Sequence, residues 1–392
     1  MRVYMDNAAT TRVIEPVFEA MKPYLCDIYG NPSSVHGFGR EALTALDRAR
    51  EQVAAALGAQ SSEIYFTGCG TESDNWAIRG AAHARKSRGN HIITTQIEHH
   101  AVLHTCQQLE KEGFEVTYLP VDEFGLVHPE ELEKALRPET TIVSIMYANN
   151  EIGTIEPIAE LCRIAKAHGA LFHTDAVQAV GHMPIDVKAL DVDMLSLSGH
   201  KLHAPKGVGA LYIRKGLHIQ RFMEGGAQER NQRAGTENVA SIVAMGAAIE
   251  LAVKHLGENV TKIAAMRDHL AKRILTEIPY TRLNGHPEKR LPGNVNICFR
   301  FIEGEALLLS LDLMGIAGSS GSACTSGSLD PSHVLLAIGL PHEIAHGSLR
   351  LSLSEENTME EVDCVVEALK KIVGRLRAMS PLYDEFCKAQ EG

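Results

Sequence analysis

The stretch Val192-Asp193-Met194-Leu195-Ser196-Leu197-Ser198-Gly199-His200-Lys201 passes from an apolar segment into a polar, glycine-bearing turn. The apolar part predicts a buried β-strand, because buried strands are short apolar runs that end at turn residues. A lysine at the end of such a strand is held by a rigid element and faces a crevice. Desolvation there lowers the pKa of an amine and makes its nitrogen nucleophilic toward a carbonyl group. Lys201 is therefore a candidate for covalent chemistry, and Ser198 and His200 are donors suited to a phosphate group.

Similar apolar strands alternate with amphipathic helices on both sides of this stretch. Such alternation indicates a mostly parallel sheet that is flanked by helices and buried on both faces, and we predict an α/β fold. Ligands of such sheets bind beyond the carboxyl ends of the strands. The predicted strands span residues 63–67, 91–95, 116–119, 141–146, 170–173 and 192–197, with two more at 294–299 and 348–353.

The length of 392 residues exceeds what one hydrophobic core usually supports, so we expect two domains. A long helical pattern ends near Gly257, where we place the boundary. The predicted large domain spans residues 12–257. Residues 1–11 and 258–392 form a predicted smaller α/β domain, which carries a glycine- and serine-rich loop at about residues 318–330.

The composition narrows the class of protein. A net charge of −11 argues against direct nucleic-acid binding as the main activity. The first residues contain no apolar signal segment and no later run reaches membrane-spanning length, so we expect a cytoplasmic protein without a membrane partner. The eight cysteines form no CxxC pair, and we expect no disulfide framework.

A glycine-rich turn, Thr67-Gly68-Cys69-Gly70-Thr71, lies between a predicted strand and a predicted helix. Free backbone N–H groups and the positive end of a helix dipole meet there, so Gly70 and Thr71 are candidates for binding an anion. The turn lacks the lysine of a P-loop and the GxGxxG spacing of a dinucleotide site. The alternatives are an ordinary helix N-cap here and a solvated loop lysine at Lys201. The nucleophilic Lys201, with the phosphate donors Ser198 and His200 beside it, suggests pyridoxal phosphate (PLP).

Asp175 and His99 also follow predicted strands. A carboxylate among apolar neighbours needs a cationic partner, and the protonated ring nitrogen of PLP is such a partner. His99 has the side chain to lie against that ring or to transfer a proton near neutral pH. A helix N-cap at Asp175 and an ordinary loop histidine at His99 are the alternatives.

The loop Gly318-Ser319-Ser320-Gly321-Ser322-Ala323-Cys324-Thr325-Ser326-Gly327-Ser328 consists of small residues. It has little apolar surface to bury, so we expect it to be exposed and mobile. A cysteine in that setting fits a reactive thiol better than a packing cysteine, which makes Cys324 the candidate nucleophile among the eight. An incidental surface thiol is the alternative.

One stretch matches a zinc-protease motif in its letters only. His342-Glu343-Ile344-Ala345-His346 has the HExxH pattern, but that motif requires a continuing helix and a third ligand. Here Pro341 precedes the stretch, Gly347 follows it, and a predicted strand begins next. We therefore predict no metal site.

Taken in order along the chain, these stretches resemble one family, the cysteine desulfurases of the NifS/IscS type, and its NifS members in particular. These are PLP enzymes of fold type I, the aspartate aminotransferase-like superfamily, so the resemblance implies a large domain with a mostly parallel sheet and a smaller α/β domain. The stretches that carry the resemblance are Tyr4-Met5-Asp6-Asn7-Ala8-Ala9-Thr10-Thr11, Gly30-Asn31-Pro32-Ser33-Ser34, Cys69-Gly70-Thr71-Glu72-Ser73, Tyr147-Ala148-Asn149-Asn150-Glu151, His173-Thr174-Asp175-Ala176-Val177-Gln178, Ser198-Gly199-His200-Lys201, Arg233-Ala234-Gly235-Thr236-Glu237-Asn238 and Ser322-Ala323-Cys324-Thr325-Ser326-Gly327-Ser328.

The resemblance implies a role for each matching position. Lys201 would hold PLP as a Schiff base, and Asp175 would pair with the ring nitrogen. Gln178 would hydrogen-bond the phenolic oxygen of the ring, while His99 would stack on the ring and take part in proton transfer. The phosphate would be held by Gly70, Thr71, Ser198 and His200, together with Thr236 from the partner subunit of a homodimer.

The same resemblance implies how the substrate binds. Asn150 and Arg350 would bind its carboxylate, Arg350 as a bidentate clamp. Asn7 and Asn31 match positions that line the same pocket. The sequence at residues 350–357 departs from the family's usual pattern. Glu355-Glu356 in this stretch make the site entrance more acidic.

The activity implied is conversion of L-cysteine to L-alanine, with the sulfur transferred to Cys324 as a persulfide. That sulfur would supply iron–sulfur cluster assembly through a scaffold protein. A selenocysteine lyase and a sulfur donor for tRNA thiolation are the alternatives. The likeness to NifS adds an expectation of a link to nitrogen fixation.

Overall fold

The structure, a computed structural model, describes residues 2–320 and 331–391. The strands of all its sheets are β1 Val3–Tyr4, β2 Ile64–Thr67, β3 His91–Thr95, β4 Glu115–Leu119, β5 Thr140–Ser144, β6 Leu171–Asp175, β7 Met194–Ser198, β8 Gly209–Ile213, β9 Thr281–Leu283, β10 Asn294–Phe299, β11 Ile316–Ala317 and β12 Ser348–Ser352. The central sheet has seven strands in the order β2-β8-β7-β6-β5-β3-β4.

Some helices flank this sheet and connect its strands, and others pack with the second group of strands described below. The helices are α1 Glu15–Met21, α2 Pro23–Cys26, α3 Gly37–Leu57, α4 Gly70–Ala84, α5 His100–Lys111, α6 Pro129–Ala135, α7 Ile158–Ala167, α8 Val187–Leu190, α9 Gln228–Asn231, α10 Val239–Lys254, α11 Leu256–Glu277, α12 Gly304–Leu313, α13 His333–Ala337, α14 His342–Ala345, α15 Met359–Ala378 and α16 Pro381–Glu391. Single 3₁₀ turns cover Ser61–Glu63 and Gly199–Lys201.

The prediction of a mostly parallel α/β sheet is confirmed. Strand β8 is antiparallel to both β2 and β7, and the remaining neighbours in the sheet pair in parallel. Consequently β2, β3, β5, β6 and β7 all present their carboxyl ends at the same edge. Side chains alternate between the two sheet faces, so apolar residues at every position of a strand bury both faces.

This alternation is visible in the two clusters that cover the sheet. Ile92, Ile142 and Leu171 belong to the cluster that includes residues of α4 and α5. The next residue of each strand belongs to a separate cluster that includes α3, α7 and α10. The strand bounds predicted from the sequence agree with the structure to within two residues, because continuous apolar runs mark doubly covered strands.

A second group of elements has its own apolar core. Strands β9, β10 and β12 form an antiparallel sheet, and β1 pairs in parallel with β11. Apolar residues of α11, α12 and α15 pack with them. Helix α11 leaves α10 at an angle of 73°, close to the predicted boundary at Gly257. The division into domains at residues 12–257 and 258–392 remains a prediction.

Two details differ from the predictions. Strand β8 was not among the predicted strands, and its antiparallel direction has no counterpart in a pattern of apolar runs. The loop after β8 contains the short turn α9, which was not predicted and in which Glu229, Arg230 and Asn231 all have positive φ. Arg50 holds this turn through two hydrogen bonds to the buried Glu229 carboxylate.

No single helix in residues 2–320 and 331–391 has the length and apolar composition of a membrane span. The pair α10 and α11 meets both criteria together, with a bend of 73° between its halves.

Candidate active site

Ten of the predicted site residues line one cavity of about 300 Å³ at the carboxyl edge of the central sheet. Most of them follow strands of the central sheet that end side by side, and Arg350 comes from β12 of the antiparallel sheet, so residues far apart in sequence meet here. The ten are Gly70, Thr71, His99, Asn150, Asp175, Gln178, Ser198, His200, Lys201 and Arg350.

One end of the cavity is built to bind an anion. Helix α4 begins at Gly70, and the N-cap residue Cys69 offers no side-chain hydrogen bond to the first turn. A Cβ added at Gly70 would lie 2.7 Å from Val177 Cγ2, so only glycine lets the helix approach this closely. The Ser198 hydroxyl is buried and has no hydrogen-bond partner. Backbone N–H groups at a helix N-terminus and an unpartnered hydroxyl are donors that suit a phosphate.

Asp175 lies at the end of β6 and is 6% exposed. The Val177 backbone N–H donates to its Oδ1 at 2.9 Å. Burial raises the pKa of Asp175 to about 6, opposed by that hydrogen bond and by the positive charge of Lys201. A buried carboxyl in this condition favours a cationic ligand, because a nearby positive charge stabilises its ionised form.

Lys201 and His200 follow β7 and reach the N-terminal segment of the chain. The Lys201 amine donates to the carbonyl oxygens of Ala8 at 2.6 Å and Ala9 at 2.7 Å. His200 Nδ1 lies 3.2 Å from the Thr10 hydroxyl. Burial lowers the pKa of His200 to about 4, helped by the neighbouring charge of Lys201. His200 is therefore neutral at physiological pH.

Gln178 and Arg350 are held in place by hydrogen bonds within the protein. The Gln178 amide donates to Ala8 O at 3.0 Å. Arg350 donates to Asn150 O at 3.1 Å and to Asp6 Oδ1 at 3.0 Å, while its Nε is buried without a hydrogen-bond partner. The unsatisfied Nε and the cavity beside it leave the guanidinium able to receive a carboxylate ligand.

Four predicted residues do not line this cavity. Asn7 donates to Ser352 O at 2.9 Å and borders a small adjoining cavity. The Asn31 carboxamide accepts from Ser33 N within its own loop. Thr236 lines a separate cavity at the carboxyl end of β2, together with Thr67 and Gly68. Cys324 lies outside the described residues.

The structure adds acidic residues that received no role from the sequence. Asp74 lines the cavity and is 1% exposed, and its Oδ1 has no hydrogen-bond partner. Glu98 is fully buried beneath it, where Thr95 and Met146 donate to one carboxylate oxygen. Burial raises the pKa of both acids well above the ordinary values. Asp74 follows Thr71 by three residues and so shares its helix face, which is the signal that would have identified it.

A larger groove of about 500 Å³ lies elsewhere, between α12, α14 and the start of α16. Apolar side chains such as Ile344 and Met379 dominate its lining. Helix α14 covers four residues of the HExxH stretch and is followed by β12. Within residues 2–320 and 331–391 there is no group of three or more His, Cys, Asp or Glu side chains arranged to hold a metal ion.

Comparison with known proteins places this arrangement in a family. The family model described as aminotransferase class-V matches residues 3–365. The chain belongs to the class-V aminotransferase family. It is 59% identical over 380 residues to a cysteine desulfurase IscS of Methanosarcina thermophila, covering 97% of this chain and 94% of that relative.

Solved structures of this family have the same fold. A NifS-like protein superposes with a TM-score of 0.91 at 43% identity, covering 96% of this chain and all of the other. The structure of SspA in complex with cysteine superposes with a TM-score of 0.80 at 38% identity, covering 91% of this chain and 100% of that one. The resemblance to NifS/IscS-type proteins inferred from the sequence motifs is confirmed.

Class-V aminotransferases use PLP, and the cavity fits this group. Its phosphate would meet the N-terminus of α4 and the unpartnered Ser198 hydroxyl. Its ring nitrogen would meet the Asp175 carboxylate, whose pKa is raised by burial. Lys201 borders the same cavity with its amine. Each functional group of PLP therefore has a residue of suitable chemistry.

Proposed function

We propose that this protein is a PLP-dependent cysteine desulfurase, which converts L-cysteine to L-alanine and transfers the sulfur to Cys324. The observation that carries the proposal is the meeting of Lys201, Asp175, His99 and Arg350 in one cavity that also contains an anion-binding helix N-terminus. Relatives named cysteine desulfurase and a structural neighbour in complex with cysteine support this choice of substrate.

Bound PLP supplies an electron sink that stabilises negative charge at carbon next to the substrate amine. Asp175, as a carboxylate, would pair with the ring nitrogen. Thr71, Ser198 and His200 would hold the phosphate. Lys201 would anchor the cofactor in the resting enzyme, and its amine would afterwards take and return the proton at the substrate Cα.

Arg350 and Asn150 orient the substrate. Arg350 is 4% exposed and fixed by Asp6 and Asn150 O, so its guanidinium is positioned before the substrate arrives. Its unpartnered Nε supplies a further donor to the substrate carboxylate. A bidentate contact of this kind sets the direction in which the substrate sulfur points.

Cys324 is the proposed sulfur acceptor. The Cβ–S bond of L-cysteine breaks while a bond forms between the substrate sulfur and Cys324 Sγ. The carbon product is reduced to the methyl group of alanine, and the two sulfur atoms are oxidised to a persulfide. One L-cysteine and one enzyme thiol therefore give one alanine and one persulfide, with no other oxidant.

We propose further that the enzyme works as a homodimer in which Thr236 completes the partner's phosphate site. Thr236 and Asn31 do not line the cavity of their own chain. The loop after Asn31 and the loop before Thr236 border a common cavity of about 440 Å³. Beside it, Tyr29 and Phe38 pack with ring centroids 5.8 Å apart and are 71% and 56% exposed. Such an exposed apolar face favours contact with another protein surface, and the mass in solution tests this.

The destination of the sulfur is the remaining part of the proposal. An iron–sulfur scaffold protein in the cytoplasm is the proposed acceptor, and a role in nitrogen fixation would follow if that scaffold serves nitrogenase. A tRNA-thiolation relay is the alternative acceptor. Transfer of ³⁵S from labelled enzyme to each purified acceptor distinguishes them, and transfer to neither would contradict both.

The decisive experiment compares purified wild type with Cys324→Ala, supplied with L-cysteine and a reductant. We expect equal amounts of alanine and sulfide from wild type and neither product from the variant. The variant should still change its PLP spectrum when L-cysteine is added, because Lys201 and Arg350 are intact. Alanine and sulfide from both proteins would remove Cys324 from the mechanism. Selenide from L-selenocysteine with no sulfide from L-cysteine would favour a selenocysteine lyase.

A further inference from the structure

We infer that His99 acts as a neutral imidazole whose proton is fixed on Nε2, so that it donates a hydrogen bond into the cavity without itself gaining or losing a proton near neutral pH. The inference rests on the proposed function and specifies what His99 does in that reaction. It replaces the proton-transfer role expected from the sequence with that of a fixed donor.

The position of His99 at a helix end carries the inference. His99 is the N-cap of α5, with extended backbone angles of φ −62° and ψ 148°. Its Nδ1 accepts a hydrogen bond from the Ala101 backbone N–H at 3.1 Å. A ring nitrogen that accepts a hydrogen bond carries no proton, and a neutral imidazole has one proton on its two nitrogens. The proton of neutral His99 is therefore on Nε2.

Protonation of Nδ1 is opposed by the same contact. A proton there would face the Ala101 N–H, break the cap and leave a backbone donor of the first turn unsatisfied. It would also add positive charge at the positive end of the α5 dipole. Both effects favour the neutral ring.

The groups around His99 act in the same direction. Lys201 at the end of β7, His333 in α13 and His104 in α5 are the titratable neighbours whose positive charge would disfavour the cationic form of His99. The His100 ring lies 6.3 Å from the His99 ring and 4.9 Å from that of His333.

The carboxyl group of the adjacent residue, Glu98, is hydrogen-bonded to other residues. One oxygen of Glu98 accepts from Thr95 and Met146, and burial raises the pKa of this acid well above its ordinary value. Burial thus favours the uncharged form of Glu98. Burial, followed by the charges of Lys201, His333 and His104, lowers the pKa of His99 to about 4.

This state has a direct consequence for the chemistry. Further loss of a proton from a neutral imidazole would give an imidazolate, which is inaccessible near neutral pH, so His99 cannot serve as the proton donor in turnover. Lys201 carries the moving proton, and His99 Nε2–H stabilises negative charge that develops in the cavity. A helix N-terminus that keeps an imidazole neutral for this purpose is an established device in other enzymes.

Nuclear magnetic resonance of the ¹⁵N-histidine-labelled holoenzyme tests the tautomer directly. Long-range ¹H–¹⁵N correlations distinguish a protonated from an unprotonated ring nitrogen. His99 is assigned by its absence from the spectra of His99→Gln and of His99→Asn, in which asparagine can still cap α5. We expect protonated Nε2 and unprotonated Nδ1, unchanged between about pH 5 and pH 8. A proton on Nδ1, or a titration within that range, would overturn the inference.

A kinetic comparison tests the role separately from the tautomer. Glutamine places an amide donor near the position of Nε2 but cannot transfer a proton. A fixed-donor role predicts that His99→Gln retains kcat within about tenfold and that His99→Leu loses about 10²–10³-fold, as when an oxyanion-hole donor is removed. An acid–base role predicts equal losses of about 10²–10⁴-fold in both variants. If wild type makes no alanine, the proposed function fails, while the spectra still decide the tautomer.

Discussion

Asp175 stands out among the buried acids because a ligand of the opposite charge changes its energetics. It is 6% exposed and receives a backbone hydrogen bond, yet burial raises its pKa to about 6. Asp74 and Glu98 nearby have pKa values raised further still. In the ligand-free protein, Asp175 therefore binds a proton more tightly when folded than when unfolded. Its ionised form is a source of instability that a cationic ring nitrogen removes.

Asp175→Asn should separate stability from cofactor affinity. For an acid with a raised pKa, stability is lost as the pH rises from its ordinary value of 3.8 through about 6. Asparagine keeps an acceptor for Val177 N–H but has no charge. Cofactor-free Asp175→Asn should thus exceed wild type in free energy of unfolding above about pH 6, by on the order of 3 kcal/mol, while binding PLP more weakly.

Urea unfolding monitored through the single tryptophan, the buried Trp76, measures this effect. The difference between the two cofactor-free proteins should close as the pH falls toward 3.8. Unfolding curves that coincide at neutral pH would show that Asp175 is not destabilising when ionised. The holoenzymes provide the control, because PLP should reverse the order of stability.

At the scale of the element, the sheet could be predicted because each strand carries its own signal. Residues 294–299 were predicted as a strand, and β10 occupies those positions. The polar residues that follow β2, β3, β6 and β7 identified most of the cavity for the same reason. Strand β8 and the turn α9 depend on pairing and on a distant arginine, Arg50, so a local pattern contains no record of them. Asp74 shares a helix face with Thr71, but it was missed because helix spacing alone does not show which face of α4 meets the cavity.

Gly70 tests how closely α4 must approach the phosphate site. Alanine there would place its Cβ 2.7 Å from Val177 Cγ2 and 3.4 Å from Ser198 Cβ, which displaces the helix N-terminus. We expect Gly70→Ala to weaken PLP binding at least tenfold, or about 1.4 kcal/mol. Gly374→Ala is the matched control, since Gly374 lies inside α15 and a Cβ added there would have open space around it.

The control variant, Gly374→Ala, should raise stability and leave the cofactor site unchanged. Alanine is favoured over glycine within a helix by about 0.5–1 kcal/mol, so Gly374→Ala should raise the free energy of unfolding and leave PLP affinity unchanged. Titration of the cofactor-free proteins with PLP, followed by absorbance, measures the affinities. Equal PLP affinity in wild type and Gly70→Ala would mean that α4 does not contact the phosphate.

At the scale of the whole molecule, the chain has exposed apolar residues and two predicted site loops that do not line its own active-site cavity. Val35 is 89% exposed beside Tyr29 and Phe38. The loops of Asn31 and Thr236 border the neighbouring cavity rather than the active site of their own chain. A single chain thus leaves both the apolar surface and the predicted Thr236 contact unused, and a second copy would use both.

The double variant Val35→Glu, Phe38→Glu should therefore dissociate the proposed dimer. Buried charge without a partner is costly, so the mass in solution should fall from two chains to one. PLP affinity should fall with it, because each phosphate site would lose Thr236 of the other chain. Leu313→Glu is the control. Leu313 is similarly exposed, at 87%, but it lies on α12, a helix that packs in the second apolar core. Light scattering measures the mass, and a wild type with the mass of one chain would contradict the dimer.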